Sequence, residues 1–154
     1  MHILKAFGPL KRLEESLSHL YAWYSELFAG DAEAALVFMR LSRAEKAHAA
    51  LLDYEKHVVQ KNPDLFKSME MDMEAVDVVS SRIGVLRTSA APALDAAVKI
   101  SLEFESSASE FHYKNAIKQA NPSISRLQDC LGKSDRNHLD ELLEFAKVRG
   151  YLAK

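Results

Sequence analysis

The sequence predicts an all-α domain: an antiparallel bundle of four long helices, with a shorter helix in a long crossover. Three observations carry this expectation. Apolar residues recur in steps of three and four along most of the chain, the period of one helix face. Alanine and leucine are the commonest residues and glutamate and lysine are frequent, whereas there are only five glycines and four prolines, a composition that favours helix over strand and turn. An eight-residue pattern also occurs twice, at matching places in the two halves.

The first helix is expected over about residues 8–29, with Leu10, Leu13, Leu17, Leu20, Tyr24 and Leu27 in its apolar stripe. Gly30 suits its end, and Asp31 suits the N-cap of the next helix. The second helix is expected over about 32–61, with Leu36, Phe38, Leu41, Leu52 and Val59 on or beside its inner face, and Asn62-Pro63 stops it. The stretch 63–90 forms the crossover and holds a shorter helix at about 70–88, containing Ala75, Val76, Val79, Ile83 and Leu86. Ser89-Ala90-Ala91-Pro92 breaks that helix, and Pro92 fits the first turn of a third long helix running to about Gln119. Asn121-Pro122 repeats the cap-plus-proline signal, and the fourth long helix runs from about 122 to 149, ending near Gly150. The turn at Gly30-Asp31 precedes Ala120-Asn121 by 90 residues, the same offset as the doubled octapeptide. Two helix-turn-helix halves joined by one crossover follow from this match.

Bulk properties narrow the function classes. A chain of 154 residues suits one domain, residues 1–154, with a proper core. Its net charge of −2 gives no basic field for nucleic acid or an anionic membrane. The single cysteine, Cys130, excludes an internal disulfide and a cysteine-based zinc or CxxC-paired iron site. No apolar run is long enough to span a bilayer. The first eight residues read as too short and too soon charged for a secretory signal, so a cytoplasmic location is expected.

The doubled octapeptide carries the chemistry. Residues 41–48 read Leu-Ser-Arg-Ala-Glu-Lys-Ala-His, and residues 131–138 read Leu-Gly-Lys-Ser-Asp-Arg-Asn-His. Each copy places a carboxylate three residues before a histidine: Glu45 and His48, then Asp135 and His138. On a helix these pairs project from one face. Leu41 and Leu52 bracket the first pair, and Leu131 and Leu142 the second, so both pairs fall on the core face. Buried charges must pair with one another or bind a metal. The other two long helices should supply further ligands. Glu15 fits the 90-residue offset better, but Glu14 lies in phase with Leu10 and Leu17 whereas Glu15 points away, and helical phase is the stronger physical test. Glu105 shares a face with Leu94, Val98, Ser101, Ala108 and His112, whereas Glu103 and Glu110 align with Ala96, Lys99 and Ser107 on an outer face. The expected site, catalytic and metal-binding alike, is Glu14, Glu45, His48, Glu105, Asp135 and His138.

This set, one carboxylate from each of two helices and a carboxylate-x-x-His pair from each of the other two, resembles the ferritin-like superfamily and within it the rubrerythrin-type proteins. The resemblance spans about residues 10–148. It rests on Glu14 with Tyr21, on Glu45-Lys46-Ala47-His48, on Glu105 with Phe111 and His112, and on Asp135-Arg136-Asn137-His138. It implies ferritin-like connectivity and two iron ions, with manganese or zinc as alternatives. It also implies ferroxidase-, peroxidase- or oxygenase-type chemistry on dioxygen, peroxide or ferrous iron between two nearby metals. Tyr21 is expected to hydrogen-bond a ligand. Three positions depart from the family pattern. Asp135 stands where the family has glutamate. His112 stands where the second half often has tyrosine. Ala108 stands where rubrerythrins carry a further glutamate. The rubredoxin module is also lacking, so electrons would come from an external donor.

A second function stays open: a ferritin-like helical scaffold with a degenerate or empty site that serves as a protein-interaction module. A closed iron-storage shell is not expected, because no fifth helix is evident after Gly150; a homodimer is. His2, His19 and His57 read as surface residues, and Trp23 and the tyrosines as core packing. Cys130 reads as a small buried hydrophobe, and methionines 69, 71 and 73 as a cover for the bundle or a patch for a partner subunit.

Overall fold

The computed structural model describes residues 1–67, 71, 73–117 and 122–152, apart from the side chains at 108–117, 123–125, 127, 128, 131, 132 and 135. The described chain is helical, with no strand. Its helices are α1 (Ile3–Leu27), α2 (Ala32–Lys61), α3 (Glu74–Thr88), α4 (Leu94–Ile117) and α5 (Pro122–Val148), with a single 3-10 turn at Pro63–Phe66. No described helix is long and apolar enough to cross a membrane.

α1 begins at Ile3, five residues before the expected start, and carries Pro9 within it. A proline so far inside a helix removes a backbone hydrogen bond and costs roughly 3 kcal/mol. Packing offsets that penalty, because Ile3, Ala6 and Phe7 are all buried. The His2 ring, expected on the surface, is half-buried, and its Nδ1 accepts the Leu4 N–H at 3.3 Å. The Met71 N–H donates to Met1 O at 2.7 Å, and the terminal ammonium of Met1 donates to Met71 O at 2.9 Å. Met71, in the segment between α2 and α3, is thereby tied to the start of α1.

α2 keeps its expected bounds because its cap is local. Asp31 Oδ1 accepts the Ala34 N–H at 3.1 Å, satisfying a donor that the first turn leaves without a partner. Arg149, just past α5, donates to Asp31 Oδ2 at 2.7 Å and to Glu33 Oε2 at 2.9 Å, joining the far end of the chain to this cap. α4 starts two residues later than Pro92. Its first backbone bond runs from Ala97 N–H to Ala93 O, so Pro92 restricts the entering chain rather than the first turn. The crossover helix starts at Glu74 rather than near 70.

α1 packs along α2, and α4 along α5; α2 meets α5, while α3 lies against α1 and touches α4. Leu10, Leu17, Leu20, Leu41, Leu52, Phe104 and Leu142 are buried between them. An aromatic group closes the α1–α2 end. The Phe38 ring lies edge-on to Tyr24, with centroids 5.2 Å apart, and at 6.3 Å from Tyr21. Burying a phenylalanine this fully contributes about 2–3 kcal/mol. Met71 and Met73, in the segment between α2 and α3, are buried; Met69 lies outside the described residues. Further burial expectations are corrected. Leu27, expected in the apolar stripe of α1, is 38% exposed at the end of that helix, and Tyr54, expected in the core with the other tyrosines, is 60% exposed on α2. Leu36 is exposed on the outer side of α2, because it lies two residues before Phe38, on the opposite side of the helix. Cys130 is exposed on α5, since its neighbour in the apolar stripe does not carry its own position inward.

Candidate metal centre

On α2, Leu41, Glu45, His48 and Leu52 form one buried row, so the apolar stripe carries a carboxylate and an imidazole into the interior. On α1, Glu14 is buried between Leu10 and Leu17, whereas Glu15 is exposed and lies 3.9 Å from Lys11. On α4, Glu105 is buried one turn after Ser101, whereas Glu103 is exposed and pairs with Arg82 at 2.6 Å. His138 on α5 is half-buried, its side chain 14% exposed. Helical phase accounts for each of these placements.

The four helices bring these groups together. His48 Nδ1 lies 3.2 Å from Glu45 Oε2 and 4.0 Å from Glu14 Oε2. His138 Nδ1 lies 3.6 Å from both Glu45 Oε1 and Glu105 Oε2. The two imidazole rings stack at 5.6 Å. Two ligand groups result, Glu14–Glu45–His48 and Glu45–Glu105–His138, and within each the ligand atoms lie within 4.8 Å of one another. Glu45 belongs to both. Its two oxygens face different histidines, as a bridging carboxylate requires.

Electrostatics favour a cation here. Three carboxylates and two imidazoles meet in the interior, so negative charge is in excess even with both rings protonated. Burial works against a charged His138, yet the hydrogen-bonding and coulombic pull of Glu105 and Glu45 outweighs it and raises the pKa to about 10. Tyr21 donates its hydroxyl proton to Glu105 Oε1 at 2.6 Å. Burial, with Glu105 and Glu45 beside it, holds the Tyr21 phenol well above its ordinary pKa, so it remains a donor.

The residues fit a metal. Glu45 Oε1 and His138 Nδ1 are buried and face each other at 3.6 Å, longer than a well-formed hydrogen bond. A divalent ion would satisfy both. Glu14, Glu45, His48, Glu105 and His138 are thus placed where they could hold one, and carboxylate oxygens with imidazole nitrogens suit iron, manganese or zinc. The side chain of the sixth expected ligand, Asp135, lies outside the described residues, as does that of His112. The open groove of about 660 Å³ between α1 and α2, lined by Lys11, Ser18, Ser42 and Lys46 among others, contains none of these ligands.

Two polar residues that the structure turns inward were not singled out from the sequence, and one of them, Ser134, lies against the site. Ser134 Oγ lies 3.0 Å from His48 Nε2 and 3.4 Å from His138 Nε2. Its position one turn before His138 was the available signal. Glu55 is fully buried on α2, seven residues after His48, and that two-turn spacing marks the same helix face.

No family model matches the chain, and neither a curated protein nor a solved structure does so.

Proposed function

We propose that the chain is a non-haem di-metal carboxylate protein, holding two iron or manganese ions and acting on dioxygen, peroxide or ferrous iron. The observation that carries this reading is the pair of ligand groups, Glu14–Glu45–His48 and Glu45–Glu105–His138, that share Glu45. Glu14 and His48 would hold one ion, Glu105 and His138 the other, and Glu45 both. When bound, the metals supply Lewis acidity and redox electrons for chemistry at oxygen. The protein residues have separate tasks. Tyr21 orients Glu105 through its short hydrogen bond. The apolar residues around the cluster exclude bulk water, and His138 gives up its proton when its ring nitrogen becomes a ligand. A ferritin-like four-helix arrangement of α1, α2, α4 and α5, with α3 in the crossover, is part of the same reading; the helix order and the contacts of α2 with α5 support it. A homodimer served by an external electron donor completes it.

Anaerobic loading with ferrous iron, followed by metal analysis and visible absorption on exposure to oxygen, tests the proposal. About two ions per chain and an oxygen-dependent absorption band are expected. Negligible uptake overturns it.

One observation favours the second reading, a metal-free helical scaffold for a protein partner. A proton on His138 would itself offset the Glu45 and Glu105 charges. On that reading neither iron nor manganese is retained, and the thermal transition does not respond to either ion.

A further inference from the structure

We propose that Ser134 positions both metal-binding histidines at once, by accepting a hydrogen bond from each ring. The inference rests on the di-metal reading and extends it to a residue outside the ligand set. Both Nδ1 atoms face carboxylates: His48 towards Glu45 and Glu14, His138 towards Glu45 and Glu105. A ring that binds metal through Nδ1 carries its proton on Nε2, so each histidine then presents one N–H on the far side of its ring.

Both N–H groups meet the same atom. Ser134 Oγ lies 3.0 Å from His48 Nε2 and 3.4 Å from His138 Nε2. A hydroxyl oxygen has two acceptor lone pairs, and the two rings use both. The stacking of the rings at 5.6 Å with 25° between their planes brings the two nitrogens within reach of one acceptor. Metal-ligating histidines ordinarily have one outer partner each, and that partner sets the tautomer and ring angle. Here a single hydroxyl serves two ligands that belong to different metal positions. The rings are therefore coupled, and a change at Ser134 reaches both metals together.

Cobalt(II) titration of the full-length metal-free protein tests this, with paramagnetically shifted proton NMR as the second readout. In the unmodified protein, two exchangeable imidazole N–H resonances are expected, one per histidine. In Ser134→Ala both resonances should move and exchange faster with solvent, and affinity at both positions should fall about 10- to 100-fold. Ser134→Thr keeps the hydroxyl and should restore both. A circular-dichroism melt of each metal-free variant separates this effect from unfolding. Unchanged affinity and N–H resonances in Ser134→Ala, or loss at one position alone, overturn the role of Ser134 while leaving the metal centre standing. Failure of the unmodified protein to bind cobalt overturns the metal centre, and the Ser134 role with it.

Discussion

Tyr21 on α1 donates to Glu105 on α4 at 2.6 Å, with both side chains buried. This bond spans 84 residues of sequence and aims one carboxylate oxygen away from the histidines, leaving Oε2 to face His138. Removing the donor deprives a buried carboxylate of a partner, which costs about 1–3 kcal/mol. Tyr21→Phe is expected to lower stability by that amount in chemical denaturation.

Tyr24 should behave in the opposite way. It is as deeply buried as Tyr21, but its hydroxyl has no hydrogen-bond partner among the described residues, and burial pushes its pKa up to about 12. Removing an unpaired buried hydroxyl while keeping the ring relieves a desolvation penalty. Tyr24→Phe is expected to raise the denaturation midpoint, and the contrast between the two tyrosine variants separates the hydrogen bond from ring packing.

Glu45 and His48 should differ in how many metals they hold. His48→Ala removes a ligand from one group only, so about one bound ion per chain should remain after iron loading. Glu45→Gln preserves shape but weakens a ligand common to both groups, so uptake should fall at both positions. Metal analysis of the two variants side by side reads this directly.

The Asp31–Arg149 pair gives a pH dependence with a definite sign. The Arg149 guanidinium and then the Ala34 N–H hold the Asp31 carboxyl below its ordinary value of 3.8. A carboxyl with a depressed folded-state pKa adds stability that is full above the unfolded-state value and is lost as pH falls through the folded one. Asp31→Asn should therefore melt at a lower temperature than the unmodified protein at pH 7. The difference should shrink as pH drops below about 4. Thermal melts across that range check it.

Phe38 anchors the aromatic group with Tyr21, Tyr24 and Phe28. Phe38→Ala leaves a cavity among rings that relax little, and a loss of about 3–5 kcal/mol is expected in denaturant titration.

The burial pattern of the cluster could be read from the chain because it follows from the geometry of single helices. Steps of three and four residues give Glu45 and His48 one face, favour Glu14 over Glu15, and separate Glu105 from Glu103; the Asp31 cap is equally local. The expected start of α1 failed for the converse reason. Pro9 argues locally against helix, and only the burial of Ile3 and Phe7 against other elements explains why helix persists there.

Three relationships needed the assembled protein: Glu45 belonging to both ligand groups, Ser134 lying between two rings from different helices, and Tyr21 reaching Glu105. Each depends on how far neighbouring helices are rotated and slid against one another. Periodicity along one helix settles its own inward face and says nothing of that offset. The offset is set where side chains distant in the chain interlock, so inward faces were readable from spacing, whereas the atoms that meet across them were settled only by packing.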